Sequence, residues 1–234
     1  MVGERAACVR RDFTCTRRPV DVNSDEIRRE WAERSGAYSP AYYAYYGPDD
    51  TSEAIRSVLS RFLDRDARVL ELGCSSGRHL AHLYEDGFET LAGIELNDDA
   101  FDVMAEHYPD LADCGTFYHG AIEDVVDEFD DGRFDAVYSV ETLQHLHRDA
   151  EWVFEELVRI TDDLLITVEN EPETDERGGA DGCQQRTDPD VTYVDDDFPL
   201  YYRDWNRVFT ERGLVEVDTR PGERDTVRTF RSPR

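Results

Sequence analysis

The sequence predicts an α/β fold built on a doubly wound, mostly parallel seven-stranded sheet with an antiparallel C-terminal strand. Three observations predict it. Between Arg68 and Glu169, short apolar runs alternate with helical patterns, the rhythm of parallel strands covered by helices on both faces. The run Val69-Leu-Glu-Leu72 passes through a small-residue turn, Gly73-Cys-Ser-Ser-Gly77, straight into a helical pattern. That strand–turn–helix order brings backbone N–H groups to an anionic ligand. Finally, Leu214–Arg220 and Thr226–Arg231 alternate like two strands joined at Pro221-Gly222, and a hairpin at that place reverses one strand.

From the start, residues 1–26 are arginine-rich (Arg5, Arg10, Arg11, Arg17, Arg18) without periodicity, and read as an arm, weakly structured or packed over the main domain. Ile27–Ser35 suits a short helix carrying Trp31. Between Tyr38 and Tyr46 stand five tyrosines in nine residues, either an aromatic lid over a pocket or a helix anchoring the arm to the core. Ser52 or Thr51 can cap a helix whose apolar face is Ala54, Ile55, Val58, Leu59 and Leu63. Strands follow at Val69–Leu72, Thr90–Glu95, Gly115–His119, Phe134–Ser139 and Asp163–Glu169. Helices fall between them at Arg78–Tyr84, Asp98–His107, Glu123–Phe129 and Ala150–Ile160. From Glu171 to Phe198 the pattern lapses into a polar, glycine-rich loop, and Pro199–Arg212 returns to helix, ended by Gly213. The chain thus divides into an arm and Tyr-rich lid, 1–50, and one domain, 51–234, with a loop or insertion at 171–198.

Composition narrows the function. There are 54 acidic residues against 26 basic ones, no lysine, and a formal net charge of −28. Acids spread along the whole chain suggest a salt-adapted, halophilic protein kept hydrated by its carboxylates. Without a basic stripe, a duplex nucleic-acid partner is not expected. The five cysteines (Cys8, Cys15, Cys74, Cys114, Cys183) are scattered and show no C-x-x-C. Neither a disulfide framework nor a metal site is expected, and a reducing cytoplasmic setting follows. No apolar run has the length of a membrane span.

The turn at 73–77 decides among ligands. A dinucleotide fingerprint needs G-x-G-x-x-G, but Ser75 stands where the second glycine belongs. A triphosphate loop needs a lysine that the chain lacks. The loop is built for close approach, though not clearly for a diphosphate.

Four segments in order resemble the class I S-adenosylmethionine-dependent methyltransferases, here as an acidic, haloarchaeal-like member. They are Glu71-Leu-Gly-Cys-Ser-Ser-Gly77, Gly93-Ile-Glu95-Leu-Asn97, Gly120-Ala-Ile-Glu123-Asp124 and Phe134-Asp-Ala-Val-Tyr-Ser-Val-Glu141-Thr-Leu-Gln-His-Leu146. The resemblance covers about Thr51–Arg231 and includes the reversed last strand; Ser75 departs from the family's middle glycine. It implies S-adenosyl-L-methionine as cofactor and a Rossmann-like methyltransferase fold. Glu71, Gly73, Cys74, Ser75 and Gly77 would surround the methionine part, whose ammonium suits Glu71 and whose carboxylate suits the N–H groups at Ser76–Arg78. Glu95 would accept the ribose hydroxyls, with Leu96 beside it. Ala121, Ile122 and Glu123, together with Ser139 on the fourth strand, would complete the cofactor site, Glu123 or Asp124 accepting from the adenine amine.

Methyl transfer from a sulfonium is an in-line displacement, so positioning the acceptor is most of the catalysis, and a base helps only a protonated nucleophile. The resemblance turns the residues after Ser139 toward the acceptor, which makes His145 and Glu141 the catalytic candidates. Arg78 is expected to pair with a neighbouring carboxylate, and His79 reads as a plain helix residue. Tyr201, Trp205 and Val208 share a helical face and read as core; Arg203 is available to an anionic acceptor. The expected partner is a small-molecule acceptor, and the expected state a monomer or homodimer. Two other readings stay open: an NAD-dependent oxidoreductase, and a methyltransferase-like binding or scaffold protein without turnover.

Overall fold

The computed structural model describes residues 23–171, 191–194, 198–222 and 224–233. The expected arm at Arg5–Arg18, most of the 171–198 loop, and Cys8, Cys15 and Cys183 lie outside the described residues. Seven strands form the main sheet: β1 (Arg68–Leu72), β2 (Thr90–Glu95), β3 (Thr116–His119), β4 (Phe134–Val140), β5 (Thr161–Asn170), β8 (Val215–Pro221) and β9 (Asp225–Arg231). Their order is β3-β2-β1-β4-β5-β9-β8. The first five are mutually parallel, and β9 runs antiparallel to both of its neighbours, as the terminal hairpin requires. The order reverses between β1 and β4, and in open α/β sheets ligands bind outside the carboxyl ends of the strands at such a switch point.

Side chains alternate across each buried strand, so one residue in two feeds each core layer. Leu70, Leu72, Val137 and Leu165 pack beneath α8 (Val153–Ile160) and α9 (Trp205–Thr210). Val69, Ala136, Tyr138, Leu164 and Ile166 face the opposite way, toward α3 (Asp50–Phe62) and α4 (Arg78–Glu85). α5 (Asp99–His107), α6 (Pro109–Cys114) and the short α7 (Ile122–Val125) fill the β2–β3 flank. At the N-terminal side, α1 (Ser24–Ala32) and α2 (Pro40–Tyr46) lie across the carboxyl ends of the strands.

Several local expectations are corrected. The cap of α3 is Asp49, not Thr51; its carboxylate accepts from the Ser52 N–H while the Ser52 hydroxyl answers the Asp49 N–H. The helix expected over Pro199–Arg212 is only α9. Residues 198–201 are instead β7 (Phe198–Tyr201), paired antiparallel with β6 (Val191–Val194), a strand inside the segment read as loop. Tyr201 therefore does not share a helix with Trp205. Trp205 itself is fully buried against Phe154 and Phe209, with its indole N–H donating to the Asn170 carbonyl. Arg203 is also buried, its guanidinium donating to the Leu143 and Leu146 carbonyls. It braces the loop after β4 and does not line the cavity described below.

Candidate active site

A cavity of about 1160 Å³, its open mouth included, sits over the carboxyl ends of β1, β2 and β4 and the loop after β3. Its floor begins at the turn after β1. Gly73 has φ +66°, and a Cβ there would come within 2.5 Å of the Thr142 hydroxyl, so the β1 turn lies directly on the loop after β4. Ser75, the residue in place of a glycine, also adopts a left-handed conformation (φ 48°). That strain aims its N–H at Glu95.

Glu95 closes β2 inside a cradle of backbone donors. Its Oε2 accepts from Ser75 N–H at 2.7 Å, and its Oε1 from Leu96 N–H at 2.7 Å and Asn97 N–H at 2.8 Å. Burial pushes this carboxyl up, against those three donors. Oε1 is fully engaged and Oε2 keeps a lone pair, so one ribose hydroxyl is readily accepted, and a second displaces a backbone N–H. Glu71, at the end of β1, is buried and receives the Tyr138 hydroxyl at 3.0 Å. Burial pushes it well above the usual carboxylate range, with Tyr138 and Arg78 opposing. A buried acid at a cavity wall is suited to an incoming cation. Beyond it, α4 begins at Gly77 (φ 80°) with no side-chain cap, leaving first-turn N–H groups for an anion.

Part of the roof is the N-terminal segment, which three ties hold down. Arg28 donates to Glu123 Oε1 (3.2 Å) and Asp124 (3.3 Å) on α7, the helix that follows β3. The Asn97 side-chain amide donates to the Trp31 and Arg34 carbonyls at 3.4 and 3.2 Å. Arg78 pairs with Asp49 at 2.8 Å, as expected, and stacks on the Tyr43 ring. Of the five clustered tyrosines, Tyr38 and Tyr43 line the cavity, whereas Tyr45 and Tyr46 are exposed outside it.

The remaining wall is the loop after β4, organised by a residue that sequence reasoning passed over. Glu169, fully buried at the end of β5, accepts from the Ser139 hydroxyl and from the Thr142, Leu143 and Gln144 N–H groups. Even so, burial pushes its carboxyl up to about 7. The one available signal was an acid closing an otherwise apolar strand. On this loop Glu141 has φ 46°, with its N–H donating to the Val168 carbonyl. His145 lies 4.9 Å from the Trp31 ring, and its Nδ1 is 3.1 Å from the Pro199 carbonyl. A carbonyl only accepts, so Nδ1 carries the hydrogen and Nε2 keeps its lone pair. Burial holds the imidazole below its usual pKa and therefore neutral at pH 7.

Of the sequence-predicted residues, Glu71, Gly73, Cys74, Ser75, Glu95, Leu96, Ala121, Ile122, Glu123, Glu141 and His145 line this one cavity. Two do not. Gly77 serves as the left-handed entry to α4, and Ser139 is turned away to donate to Glu169. Glu123 is engaged by Arg28 rather than open to an adenine amine. His79, read from the sequence as a plain helix residue, also borders the cavity and is buried with its Nδ1 2.7 Å from the Ser52 hydroxyl. Arg28 and Trp31 join the site unannounced by any local motif, Asn97 ends the second motif without having been given a role, and among the described residues no group could hold a metal ion.

Comparison with known proteins accords with this geometry. Residues 69–163 match a family model described as a methyltransferase domain. Over 91 residues the chain is 34% identical to the O-antigen chain terminator bifunctional methyltransferase/kinase WbdD of Escherichia coli; the match spans 38% of this chain and 12% of that protein. The PH0226 protein of Pyrococcus horikoshii OT3 superposes with a TM-score of 0.64 at 16% identity, covering 87% of this chain and 99% of that one. The 1,6-didemethyltoxoflavin-N1-methyltransferase of Burkholderia thailandensis, solved with 1,6-didemethyltoxoflavin and S-adenosylhomocysteine, gives a TM-score of 0.57 at 18% identity over 78% of each chain. Residues 69–163 are thus similar to a methyltransferase domain, and the seven-stranded sheet around them has the fold of these solved neighbours.

Proposed function

We propose that this protein transfers the methyl group of S-adenosylmethionine to a small-molecule acceptor bound beneath a lid made by α1 and α2. The observation that carries the proposal is the one cavity in which the family-matched strand ends, a buried acid and a helix N-terminus without a side-chain cap converge. When bound, the cofactor supplies an electrophilic methyl on a sulfonium. Around it, Glu71 holds the ammonium, the first turn of α4 holds the carboxylate, and Glu95 Oε2 takes a ribose hydroxyl. Ile94, Leu96, Ala121 and Ile122 enclose the adenine in an apolar slot. The α1–α2 lid excludes water, and His145, fixed as the Nδ1–H tautomer, presents Nε2 to a proton on the acceptor.

The dinucleotide alternative is disfavoured by how the loop spends its donors. Cys74 N–H goes to the Ile94 carbonyl, Ser75 N–H to Glu95 and Gly77 N–H to the Cys74 carbonyl. A pyrophosphate needs several of those same groups. The test is calorimetry of the folded protein with S-adenosylmethionine and with its demethylated product, S-adenosylhomocysteine, and a thermal-shift comparison with NAD. Binding of both adenosyl ligands and loss of that binding in Glu95→Ala are expected. No heat with either ligand, or stabilisation by NAD alone, overturns the proposal.

A further inference from the structure

One part of the cavity has a character of its own. Trp31, Tyr38 and Tyr43 present aromatic rings to it, and Glu141 and His145 stand on the facing loop. The charge of Glu141 is felt by Tyr43, whose phenol is pushed up to about 12 by burial and by that charge, and by His145. Behind Glu141 stands a second acid, Asp225 at the start of β9, pushed up to about 8 by burial and then by Glu141. Asn170 donates to Asp225 at 2.6 Å, Glu169 adds repulsion and Arg224 opposes it.

The cations around the cavity do not answer this charge. Arg28 is spent on Glu123 and Asp124, and Arg78 on Asp49. Arg34 donates to the Ala37 carbonyl and lies against the Tyr38 ring, and His147 faces Asp149. Guanidinium groups already lie over two of the rings, Arg78 4.8 Å from Tyr43 and Arg34 5.6 Å from Tyr38, so what this part of the cavity offers a ligand is the Trp31 ring and the negative charge of Glu141. Aromatic faces and a carboxylate in a desolvated pocket both favour a cation, whereas they penalise an anion and leave a neutral hydroxyl without gain.

We infer that the methyl acceptor is an amine, bound as its ammonium ion between the ring of Trp31 and the carboxylate of Glu141. The inference rests on the methyl-transfer reading and names its substrate class. An ammonium has no lone pair, so it must lose a proton before attack. His145 Nε2 takes that proton and becomes an imidazolium, which the Glu141 charge stabilises. The freed nitrogen pair then forms the N–C bond to the methyl as the C–S bond breaks with its electrons going to sulfur. The products are an N-methylammonium ion and a neutral thioether, with total charge unchanged.

The test uses the protein loaded with S-adenosylhomocysteine, whose binding is first established by calorimetry. Saturation-transfer NMR titrations then compare three probes of one shape: n-butylammonium, n-butanol and butyrate. Butylammonium is expected to bind at least tenfold more tightly than either of the others. Glu141→Gln should weaken it about fivefold or more while leaving S-adenosylhomocysteine affinity unchanged, and Trp31→Leu, independent of Glu141, should weaken it as well. The inference is overturned if butanol or butyrate binds as tightly, if neither variant changes butylammonium affinity, or if butylammonium fails to bind protein that holds S-adenosylhomocysteine. Failure to bind S-adenosylhomocysteine would instead sink the methyl-transfer reading.

Discussion

Along the β1–β2 side of the cavity, the groups that face a ligand are fixed by the sheet itself. Gly73, Ser75, Glu95 and Leu96 all lie within two residues of a strand end or on the turn that follows, and backbone hydrogen bonds set their positions. Along the β4 side the wall is assembled from pieces far apart in the chain: Trp31 and Tyr43 from the lid, Glu141 and His145 from one loop, and Glu169 and Asp225 from behind. The first wall is rigid because strand register leaves it no freedom. The second depends on side-chain pairs and on acids held partly protonated by burial. This division suits an enzyme that binds one common cofactor and one particular acceptor.

The sharpest way to break both walls at once is at their seam. Gly73→Ala puts a Cβ 2.5 Å from the Thr142 hydroxyl in a left-handed conformation. The expected cost is about 2–4 kcal/mol of stability and loss of cofactor binding. Adding Thr142→Ala should return about half of that stability, because the clash is with the Thr142 side chain. Denaturant titration of the two single variants and the double variant checks it; strict additivity would mean that the walls do not meet there.

Next in size is Glu95→Ala, which removes one acceptor from three backbone N–H groups. Water entering the cavity can satisfy some of them, so about 2–3 kcal/mol of stability is expected to be lost. Adenosyl-ligand affinity should drop by about 100-fold or more, close to 2.7 kcal/mol. Glu95→Gln keeps an acceptor oxygen and should sit between the two. Calorimetry alongside thermal unfolding separates the effect on binding from that on the fold.

The same division explains what could be read from the sequence. The sheet, its reversed last strand and the β1–β2 wall of the cavity were legible because each depends on a contiguous pattern: alternation along β5 and β9, or the turn Gly73–Gly77 between a strand and a helix. The β6–β7 pairing was not, because Phe198–Tyr201 is too short to show a period and Pro199 there resembles a helix start. The resemblance implied a cofactor role for Ser139, whose hydroxyl is instead turned to Glu169. The roles of Arg28 and Trp31, and the tie that Asn97 makes from its motif to the N-terminal segment, were invisible because they come from contacts 60 or more residues away. No local motif records such contacts.

Protonation offers a smaller, graded probe of the second wall. Glu169 (about 7) and Asp225 (about 8) keep protons in the fold that the unfolded chain has lost. Each therefore contributes stability that is full below its unfolded pKa and lost as pH rises through the folded value. Buried His79, pushed down to about 3, and His145, pushed down likewise, act in the opposite sense. They stay neutral in the fold while the unfolded chain takes up protons below about pH 6.5, so they cost stability as pH falls. The two sets offset one another below about pH 6.5, and above it only the carboxyls titrate. Between pH 6.5 and 8 stability should fall by about 1–2 kcal/mol, with Asp225 discounted for its partial exposure. Asp225→Asn should flatten that descent in thermal unfolding; an unchanged slope would remove Asp225 from the account. Glu71 and Glu95 are pushed in the same direction, but an adenosyl ligand should draw the proton from Glu71. Its share of the slope should then vanish with ligand bound, and the part from the β4 side should remain.

The smallest expected effect tests whether the two walls communicate through the lid. Arg28 reaches from α1 to α7, donating to Glu123 and Asp124. The pair is partly exposed, so Arg28→Ala should leave stability within about 1 kcal/mol of wild type. The ties from Asn97 and from Arg78 to Asp49 persist, so the lid still docks, but less of the time. A ligand that needs the closed lid then binds more weakly in proportion to the lost closed population. Adenosyl-ligand affinity should weaken about three- to tenfold, and stopped-flow measurement should place most of that in faster dissociation. If affinity falls without a faster off-rate, Arg28 acts by fixing Glu123 within the cofactor wall, and the lid is a cover that carries no coupling between the two sides.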